Sequence, residues 1–151
     1  MAELKRILLA EDSAKDVELT LAALEEKHLA NRVDVVRDGE EALNYLYRRG
    51  RFQGREGNNP IVVLLDIKMP KVDGLEVLRQ IKSDEKLKTV PVVVLTSSRE
   101  ERDLTESYKL GVNAYVVKPV DFSQFVDAVK EVGAFWAVVN EPPVGNREKL
   151  P

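Results

Sequence analysis

Short runs of aliphatic residues alternate with longer amphipathic segments along the chain. Several runs are apolar at consecutive positions, which is typical of strands buried on both faces. They predict five strands, at residues 7–10, 33–36, 61–65, 90–95 and 114–117. Apolar residues at helical spacing predict five helices, at residues 14–30, 40–49, 75–84, 100–110 and 122–139. Five repeats of strand then helix indicate an α/β domain, with a parallel sheet covered by helices on both faces.

A few residues predict where these elements begin and end. Ser13 is a favourable N-cap for the first helix. Gly50 and Gly111 follow the second and fourth helical patterns, and glycine commonly ends a helix. The polar, glycine-containing stretch 51–60 is predicted to be a loop.

Chemically reactive side chains follow four of the predicted strands. Glu11 and Asp12 follow the first strand, Asp66 the third, Thr96 the fourth and Lys118 the fifth. Parallel sheets bind ligands at the carboxyl ends of their strands, so these groups are expected at one edge. Two carboxylates about 4 Å apart repel by roughly 4 kcal/mol at an effective dielectric of 20, and one ammonium cannot balance three of them. The pattern therefore predicts a hard divalent cation and, beside it, an anionic phosphoryl group.

Each of these residues also has an ordinary interpretation when taken alone. Glu11 and Asp12 could cap the first helix, and Asp66 could cap a helix or lie in a solvated turn. Thr96 is a common turn residue, and Lys118 followed by proline is a common way to leave a strand. Their occurrence together at corresponding strand ends is what favours a functional site.

Composition limits the classes of function. The chain has 151 residues, enough for one domain, and a formal net charge of −3, which provides no electrostatic footprint for nucleic acid or an anionic membrane. It has no Cys and a single His, His28, which excludes thiol chemistry and any site that needs two imidazoles. No apolar stretch approaches the roughly 18 residues of a membrane span, and acidic residues interrupt the N-terminal apolar run where a signal peptide would continue. A cytoplasmic protein is expected.

The strand-end residues resemble the motifs of the receiver domain of two-component response regulators. The matching segments are Glu11-Asp12, Asp66-Ile-Lys-Met-Pro with Asp73-Gly74, Thr96-Ser97, and Lys118-Pro119. The resemblance covers residues 5–132. It implies a doubly wound, five-stranded sheet of flavodoxin-like order 2-1-3-4-5 with five helices, a receiver domain over residues 1–139, and a C-terminal arm over residues 140–151.

The resemblance also implies a chemistry. Asp66 would accept a phosphoryl group from a phosphohistidine of a sensor histidine kinase. Asp12, Asp66 and the backbone carbonyl of Lys68 would bind Mg²⁺, for which Mn²⁺ or Ca²⁺ can substitute, and Glu11 would bind it directly or through water. Lys118 would pair with Asp66. The protein would then be a phosphoacceptor that assists its own phosphorylation and dephosphorylation, and not an enzyme with a separate substrate.

Further residues take roles by the same resemblance. Thr96 would bond a phosphoryl oxygen and Tyr115 would turn inward with it, so that the fourth strand, fourth helix and fifth strand act as the switch. Tyr115 could equally be a half-exposed strand aromatic. The kinase would dock on the first helix and the loop after the fifth strand. The docking positions are Ala14, Lys15, Val17 and Pro119. Ala14 and Val17 could also be core-facing.

The stretch from Phe135 to Pro143, which joins the last predicted helix to the C-terminal arm, predicts a homodimer. If Phe135 and Trp136 were exposed, they would form an apolar patch of a size that monomers seldom carry. The stretch either folds back on its own domain or packs on a second copy. The predicted dimer positions are Phe135, Trp136, Val139, Asn140, Pro142 and Pro143. This set of residues, and the long segment before the third strand, resemble the corresponding parts of receivers that partner phytochrome-type kinases, including bacteriophytochromes.

Three other functions compete with this interpretation. Aspartyl-phosphate phosphatases share the fold class but generally carry a second Asp two residues after the first, where this chain has Lys68. A nucleotide-binding module would need a glycine-rich loop after the first strand, where Ala10-Glu-Asp-Ser-Ala stands. A phosphate-independent receiver-like binding module would be expected to have lost some of these site residues. About twelve residues follow the last predicted helix, so the expected output is another protein or a change in oligomeric state.

Overall fold

A computed structural model of the protein describes residues 6–26, 29, 32–97 and 114–134. The strands are β1 (Ile7–Ala10), β2 (Val33–Val36), β3 (Val62–Asp66), β4 (Val92–Thr96) and β5 (Tyr115–Val117). The helices, numbered among the described residues, are α1 (Ala14–Glu25), α2 (Gly39–Tyr47), α3 (Gly74–Ser83) and α4 (Phe122–Glu131), with a 3-10 helix at Gly50–Phe52. The predicted helix 100–110 and Gly111 lie outside the described residues, so α4 is the helix predicted as the fifth. In these described ranges, no helix has the length and apolarity required to span a membrane.

The five strands form one parallel sheet in the order β2-β1-β3-β4-β5. This confirms the predicted doubly wound, flavodoxin-like sheet. The chain passes outward from β1 to β2 and then returns to β3 on the other side of β1. At this reversal of direction the loops after β1 and β3 diverge and leave a crevice at the carboxyl ends of the strands. The residues that follow β1 and β3 therefore border the crevice.

Alternate strand side chains enter two hydrophobic layers, one on each face of the sheet. Leu8 and Val63 lie in the layer covered by α2 and α3. Leu9 and Leu64 lie in the layer covered by α1 and α4, together with the fully buried Phe125. Burying a side chain of this size contributes about 1.5–3 kcal/mol relative to leaving it exposed. The sheet is thus packed from both sides, and its strand ends are held in place.

Every described α-helix begins at a side-chain cap. The capping residues are Ser13, Asp38, Asp73 and Asp121. Each side chain accepts a hydrogen bond from the backbone N–H three residues later. Such caps stabilise a helix by about 1 kcal/mol each. The structure confirms the predicted cap Ser13 and adds three aspartates at the carboxyl-end side of the sheet.

Two helices end before the predicted positions. α1 ends at Glu25 and not near residue 30, and the chain turns so that Leu29 is buried against the sheet. α2 ends because Arg48 adopts a left-handed φ of 56°, two residues before the predicted stop, Gly50. The N–H of Arg49 then bonds the carbonyl of Asn44, which satisfies a carbonyl at the helix end.

The last described helix is shorter than its apolar spacing predicts. α4 ends at Glu131, whereas the prediction extends to residue 139. Gly133 has a φ of 79°, and its N–H bonds the carbonyl of Lys130. The N–H of Ala134 bonds the carbonyl of Val129. These paired bonds are a Schellman motif, which only a residue tolerant of positive φ allows without strain, so the glycine overrides the apolar pattern.

The segment between α2 and β3 is an ordered structure held by arginine side chains. The guanidinium of Arg48 donates to the carbonyls of Arg55 and Gly57, at 2.6 and 2.7 Å. Arg55 lies over the ring of Tyr45, 4.1 Å from its centroid, and that ring packs edge-on against Phe52. The sequence predicts only a loop here, because planar stacking of arginine on aromatic rings depends on contacts that the pattern of residues does not specify.

Candidate functional site

The register of the sheet brings together the acidic residues that follow β1 and end β3. Ala10 lies beside Leu65, so Glu11 and Asp66 are neighbours at the carboxyl edge. Both are buried, whereas Asp12 is exposed. One carboxylate oxygen from each of the three residues lies within 4.8 Å of the others. The cluster is therefore formed on rigid strand ends and opens to solvent on the Asp12 side.

Lys118 follows β5 and extends over the same edge. Its peptide bond to Pro119 is cis, and its N–H donates to the carbonyl of Thr96 at 2.9 Å. Its Nζ lies 2.9 Å from Oε1 of Glu11 and 3.2 Å from Oδ1 of Asp66. The structure thus brings the predicted ammonium into direct contact with two of the predicted carboxylates.

Asp16 is a further member of this cluster that the sequence interpretation missed. Its Oδ2 lies 3.1 Å from Nζ of Lys118. The sequence places Asp16 only in the first turn of α1, where an acidic residue already has a purpose near the helix N-terminus. The sequence feature that could have identified Asp16 is its position four residues, about one helical turn, after Asp12. The first turn of α1 still borders the carboxyl edge of the sheet. The start of α1 also supports Glu11, whose Oε2 accepts the N–H of Ser13 at 3.2 Å.

The close approach of these groups shifts the pKa values of two of them. Burial and the charge of Glu11 raise the pKa of Asp66 from 3.8 to about 7, although the ammonium of Lys118 acts in the opposite direction. Burial lowers the pKa of Lys118, but the hydrogen bond to Glu11 and the charges of Asp66 and Glu11 outweigh it and raise that pKa above 10.5. Lys118 therefore remains a cation at neutral pH. Among the described residues, a single ammonium faces the carboxylates of Glu11, Asp16 and Asp66.

This excess of negative charge fits a divalent cation. Hard cations bind oxygen ligands at about 2.0–2.6 Å, so two oxygens on one ion lie up to about 5 Å apart. The 4.8 Å limit within the Glu11, Asp12 and Asp66 group meets that requirement. The donor atoms are carboxylate oxygens, which Mg²⁺, Mn²⁺ and Ca²⁺ prefer. Lys68, whose backbone carbonyl is the further predicted ligand, lies two residues after Asp66 with an exposed side chain.

The two predicted switch residues lie on neighbouring strands. Thr96 ends β4, is buried, and lies beside Val117, the residue before Lys118. Thr96 is therefore at the same edge as the carboxylates. Tyr115 lies farther along β5, beside Val94, is partly exposed, and packs against the layer covered by α2 and α3.

The predicted docking residues surround the crevice. Ala14 and Lys15 are exposed on the first turn of α1, and Pro119 is exposed after the cis bond. Val17 is partly buried and packs against the layer covered by α1 and α4, so its side chain contributes to the core as well. Outside the described residues lie the predicted dimer positions Phe135, Trp136, Val139, Asn140, Pro142 and Pro143.

Comparisons with known proteins agree with this geometry. Residues 7–130 match the model of the response regulator receiver domain family. The response regulator Rcp1 of Synechocystis sp. (strain ATCC 27184 / PCC 6803 / Kazusa) is 38% identical over 132 residues, which cover 87% of this chain and 88% of Rcp1. A structure of the Mn²⁺-bound form of Rcp1 has a TM-score of 0.68 at 36% identity and covers 93% of this chain and 97% of that one.

Two other solved structures are more similar. The bacteriophytochrome response regulator RtBRR is 60% identical, with a TM-score of 0.83, covering 97% of this chain and 88% of that chain. The bacteriophytochrome response regulator AtBRR is 59% identical, with a TM-score of 0.86, covering 93% of this chain and all of that chain (100%). The chain therefore belongs to the response regulator receiver domain family and is a close relative of the phytochrome response regulators.

Proposed function

We propose that Asp66 accepts a phosphoryl group from a sensor histidine kinase in a reaction that requires Mg²⁺. The observation that carries the proposal is the buried cluster in which Asp66 contacts Lys118 while sharing a cation-sized space with Glu11 and Asp12. A helix cap or turn residue would have no need of a buried ammonium and two further carboxylates. Without a metal ion, the carboxylates of the cluster carry more negative charge than Lys118 balances. A bound cation is therefore part of the functional site that we propose.

The chemistry follows from charge. A carboxylate oxygen of Asp66 forms a bond to phosphorus while the phosphorus–nitrogen bond of the phosphohistidine breaks, and the electron pair returns to the imidazole. Mg²⁺ held by Glu11, Asp12 and Asp66 would supply positive charge beside the phosphoryl oxygens. Lys118 donates to a phosphoryl oxygen from the position it already holds over Asp66, at 3.2 Å. Hydrolysis of the acyl phosphate by water releases phosphate and regenerates the carboxylate.

Phosphorylation would alter the β4–β5 side of the domain. The phosphoryl group brings about −1.5 to −2 charge and strong acceptor oxygens to an edge where Thr96 is buried. We propose that Thr96 bonds one of these oxygens and that Tyr115 moves with it. Tyr115 supports this role because it is partly exposed at the edge strand and contacts the hydrophobic layer. The new charge at the site would thus change a surface that another protein can contact.

We propose a phytochrome-type kinase as the phosphoryl donor. Support comes from RtBRR and AtBRR, which are named bacteriophytochrome response regulators and are about equally similar to this chain. The exposed first turn of α1, with Ala14 and Lys15, and the exposed Pro119 offer a docking surface next to Asp66. Val17, which is partly buried, would contribute only its exposed portion.

Incubation with Mg²⁺ and acetyl phosphate is expected to add the mass of one phosphoryl group to the protein. Intact-mass spectrometry measures the addition. EDTA should abolish it, because EDTA removes the cation that the phosphorylation of Asp66 requires. Asp66→Asn should show no addition, since an amide oxygen is a poor nucleophile.

Asp127→Asn is the matched control for this experiment. Asp127 is exposed on the second turn of α4, and its variant should be phosphorylated like the wild type. Addition of the same mass to Asp66→Asn, or addition in EDTA at the wild-type rate, would contradict the proposed acceptor and its cation.

We further propose that residues 135–143 form the contact of a homodimer. Ala134, the last described residue, is buried and its N–H completes the turn after α4, so these residues begin directly after the described fold. A chain ending at Ala134 is expected to fold and to be monomeric in analytical ultracentrifugation, where the full chain is dimeric. A truncated chain that still sediments as a dimer would place the interface elsewhere.

A further inference from the structure

We propose that Gly39, at the start of α2, is a positioning residue for the metal and phosphoryl site. It acts by holding the loop between β3 and α3, residues 67–73, in the one conformation that the site requires. This inference rests on the function proposed for Asp66. Gly39 itself touches none of the carboxylates, and the sequence indicates only a turn there.

The loop leaves the end of β3 and returns to pack against it at the start of α3. The N–H of Gly74 bonds the carbonyl of Ile67 at 2.7 Å. A Cβ added to Gly74 would lie 2.1 Å from the carbonyl oxygen of Asp66. The base of the loop therefore lies directly behind the acceptor, and because the loop has only seven residues, a shift of its far part, around residue 71, also moves Lys68.

That far part contains a strained turn. Lys71 has a φ of 68°, and the N–H of Val72 bonds the carbonyl of Pro70 at 2.8 Å. A bond between residues two apart around a positive φ is the rarer, strained form of the γ-turn. A side-chain-bearing residue keeps such a conformation only where its surroundings impose it. The loop therefore needs an external support.

α2 supplies the support through Gly39. The N–H of Gly39 lies 3.4 Å from the carbonyl oxygen of Pro70. A Cβ on Gly39 would lie 1.7 Å from the carbonyl oxygen of Val72, whereas real Cβ contacts are essentially never shorter than 3.0 Å. Any side chain at position 39 would thus push the loop or the helix away by more than an ångström.

Ion pairs at the same place are weaker contributors. Nζ of Lys71 lies 3.7 Å from Asp38 and 3.4 Å from Glu40, on either side of Gly39. The Lys71 side chain is 61% exposed, and exposed ion pairs contribute little. Ile67 and Met69 anchor the first part of the loop in the layer covered by α2 and α3, and the close backbone contact between Gly39 and Val72 holds its far part.

The loop matters to the cation because it leaves directly from Asp66 and carries Lys68. A displaced loop shifts the Lys68 carbonyl and tilts the Asp66 carboxylate. Mg²⁺ and Mn²⁺ sites tolerate little error in ligand position. Changing residues that orient metal ligands commonly costs 10- to 100-fold in metal affinity. Gly39→Ala is therefore expected to lower the affinity for a divalent cation by roughly 10- to 100-fold.

The test measures Mn²⁺ binding to the full chain by electron paramagnetic resonance, with urea unfolding of each variant in parallel. Gly54→Ala is the matched control, since a Cβ there meets nothing within 4 Å, and its Mn²⁺ affinity should equal that of the wild type. Leu43→Ala separates positioning from stability: Leu43 is a buried core residue of the same helix. It should lose stability but keep its Mn²⁺ affinity within about threefold.

Each outcome decides one claim. Wild-type Mn²⁺ affinity in Gly39→Ala, or an equal loss of affinity in a folded Leu43→Ala, would overturn the positioning role. Absence of Mn²⁺ binding to the wild type would instead overturn the proposed function. If Gly39→Ala fails to fold, the double variant Gly39→Ala/Lys71→Gly is used. The glycine at position 71 lets the turn around it change conformation and move away from the Cβ added at position 39. The folded double variant should still bind Mn²⁺ more weakly than Lys71→Gly alone, and equal affinity would overturn the inference.

Discussion

Replacing Lys118 by Met is expected to lower the free energy of unfolding by about 3–5 kcal/mol at pH 8 without metal. Methionine keeps much of the side-chain volume but removes the ammonium. Glu11 is fully buried and the Asp66 side chain is 5% exposed, so two carboxylates would remain in the interior without a cation. Removing one partner of a buried ion pair is costly because the other charge stays desolvated. Urea unfolding monitored by circular dichroism measures the loss.

The same substitution at an exposed position is the control. Lys88 pairs with Glu85 at 3.0 Å, and both side chains are largely exposed. Lys88→Met should change the unfolding free energy by less than about 1 kcal/mol. Mg²⁺ should recover part of the stability of Lys118→Met, because the cation binds the native carboxylates. Similar small losses in both variants would mean that Lys118 does not balance the buried charge.

Asp66→Asn is expected to stabilise the metal-free protein at pH 8 by about 2–4 kcal/mol. The pKa of Asp66 is about 7 in the folded protein and 3.8 as a model value for the unfolded chain. The native state thus binds the proton of Asp66 more tightly than the unfolded chain does. The contribution of this carboxyl group to the free energy of unfolding is therefore fully present below pH 3.8, and it falls by roughly 1.4 kcal/mol per pH unit as the pH rises towards 7. Above pH 7 the ionised Asp66 competes with Glu11 for Lys118, and asparagine removes that repulsion.

The pH dependence makes this prediction specific. In EDTA at pH 5 the wild-type Asp66 is mostly protonated, so Asp66→Asn should differ much less from the wild type than it does at pH 8. Asp127→Asn, an exposed change of the same kind, should stay within about 0.5 kcal/mol of the wild type at both pH values. Urea midpoints at the two pH values provide the comparison. A variant less stable than the wild type at pH 8 would show that Asp66 is a net stabilising charge.

The aliphatic runs were sufficient to predict all five strands within about two residues. A strand buried on both faces must be apolar at nearly every position, and few other structures require this. Once the strands were placed, the carboxyl-end rule gathered Glu11, Asp66 and Lys118 at one edge, because parallel strands all end on the same side. The distances among them then needed the register of β1 with β3 and the pairing of β3, β4 and β5.

Helix ends were less predictable, since apolar spacing continues where the backbone turns. Gly133 ends α4 although apolar residues follow it, and Arg48 ends α2 before the glycine that marked its end. Asp16 was missed as a partner of Lys118 because the two residues are 102 positions apart and Asp16 has an ordinary place in a helical first turn.

The amino-acid sequence by itself determined the strands and the kinds of chemical group at their ends, because burial and local spacing leave their pattern in the order of residues, and the motifs at the strand ends carried the resemblance to the family. Only the tertiary structure decided that Lys118 is shared by three carboxylates, and that Gly39 abuts the loop behind the acceptor. Both depend on contacts between segments far apart in the chain, and those contacts are set by packing of whole elements, which no local pattern encodes.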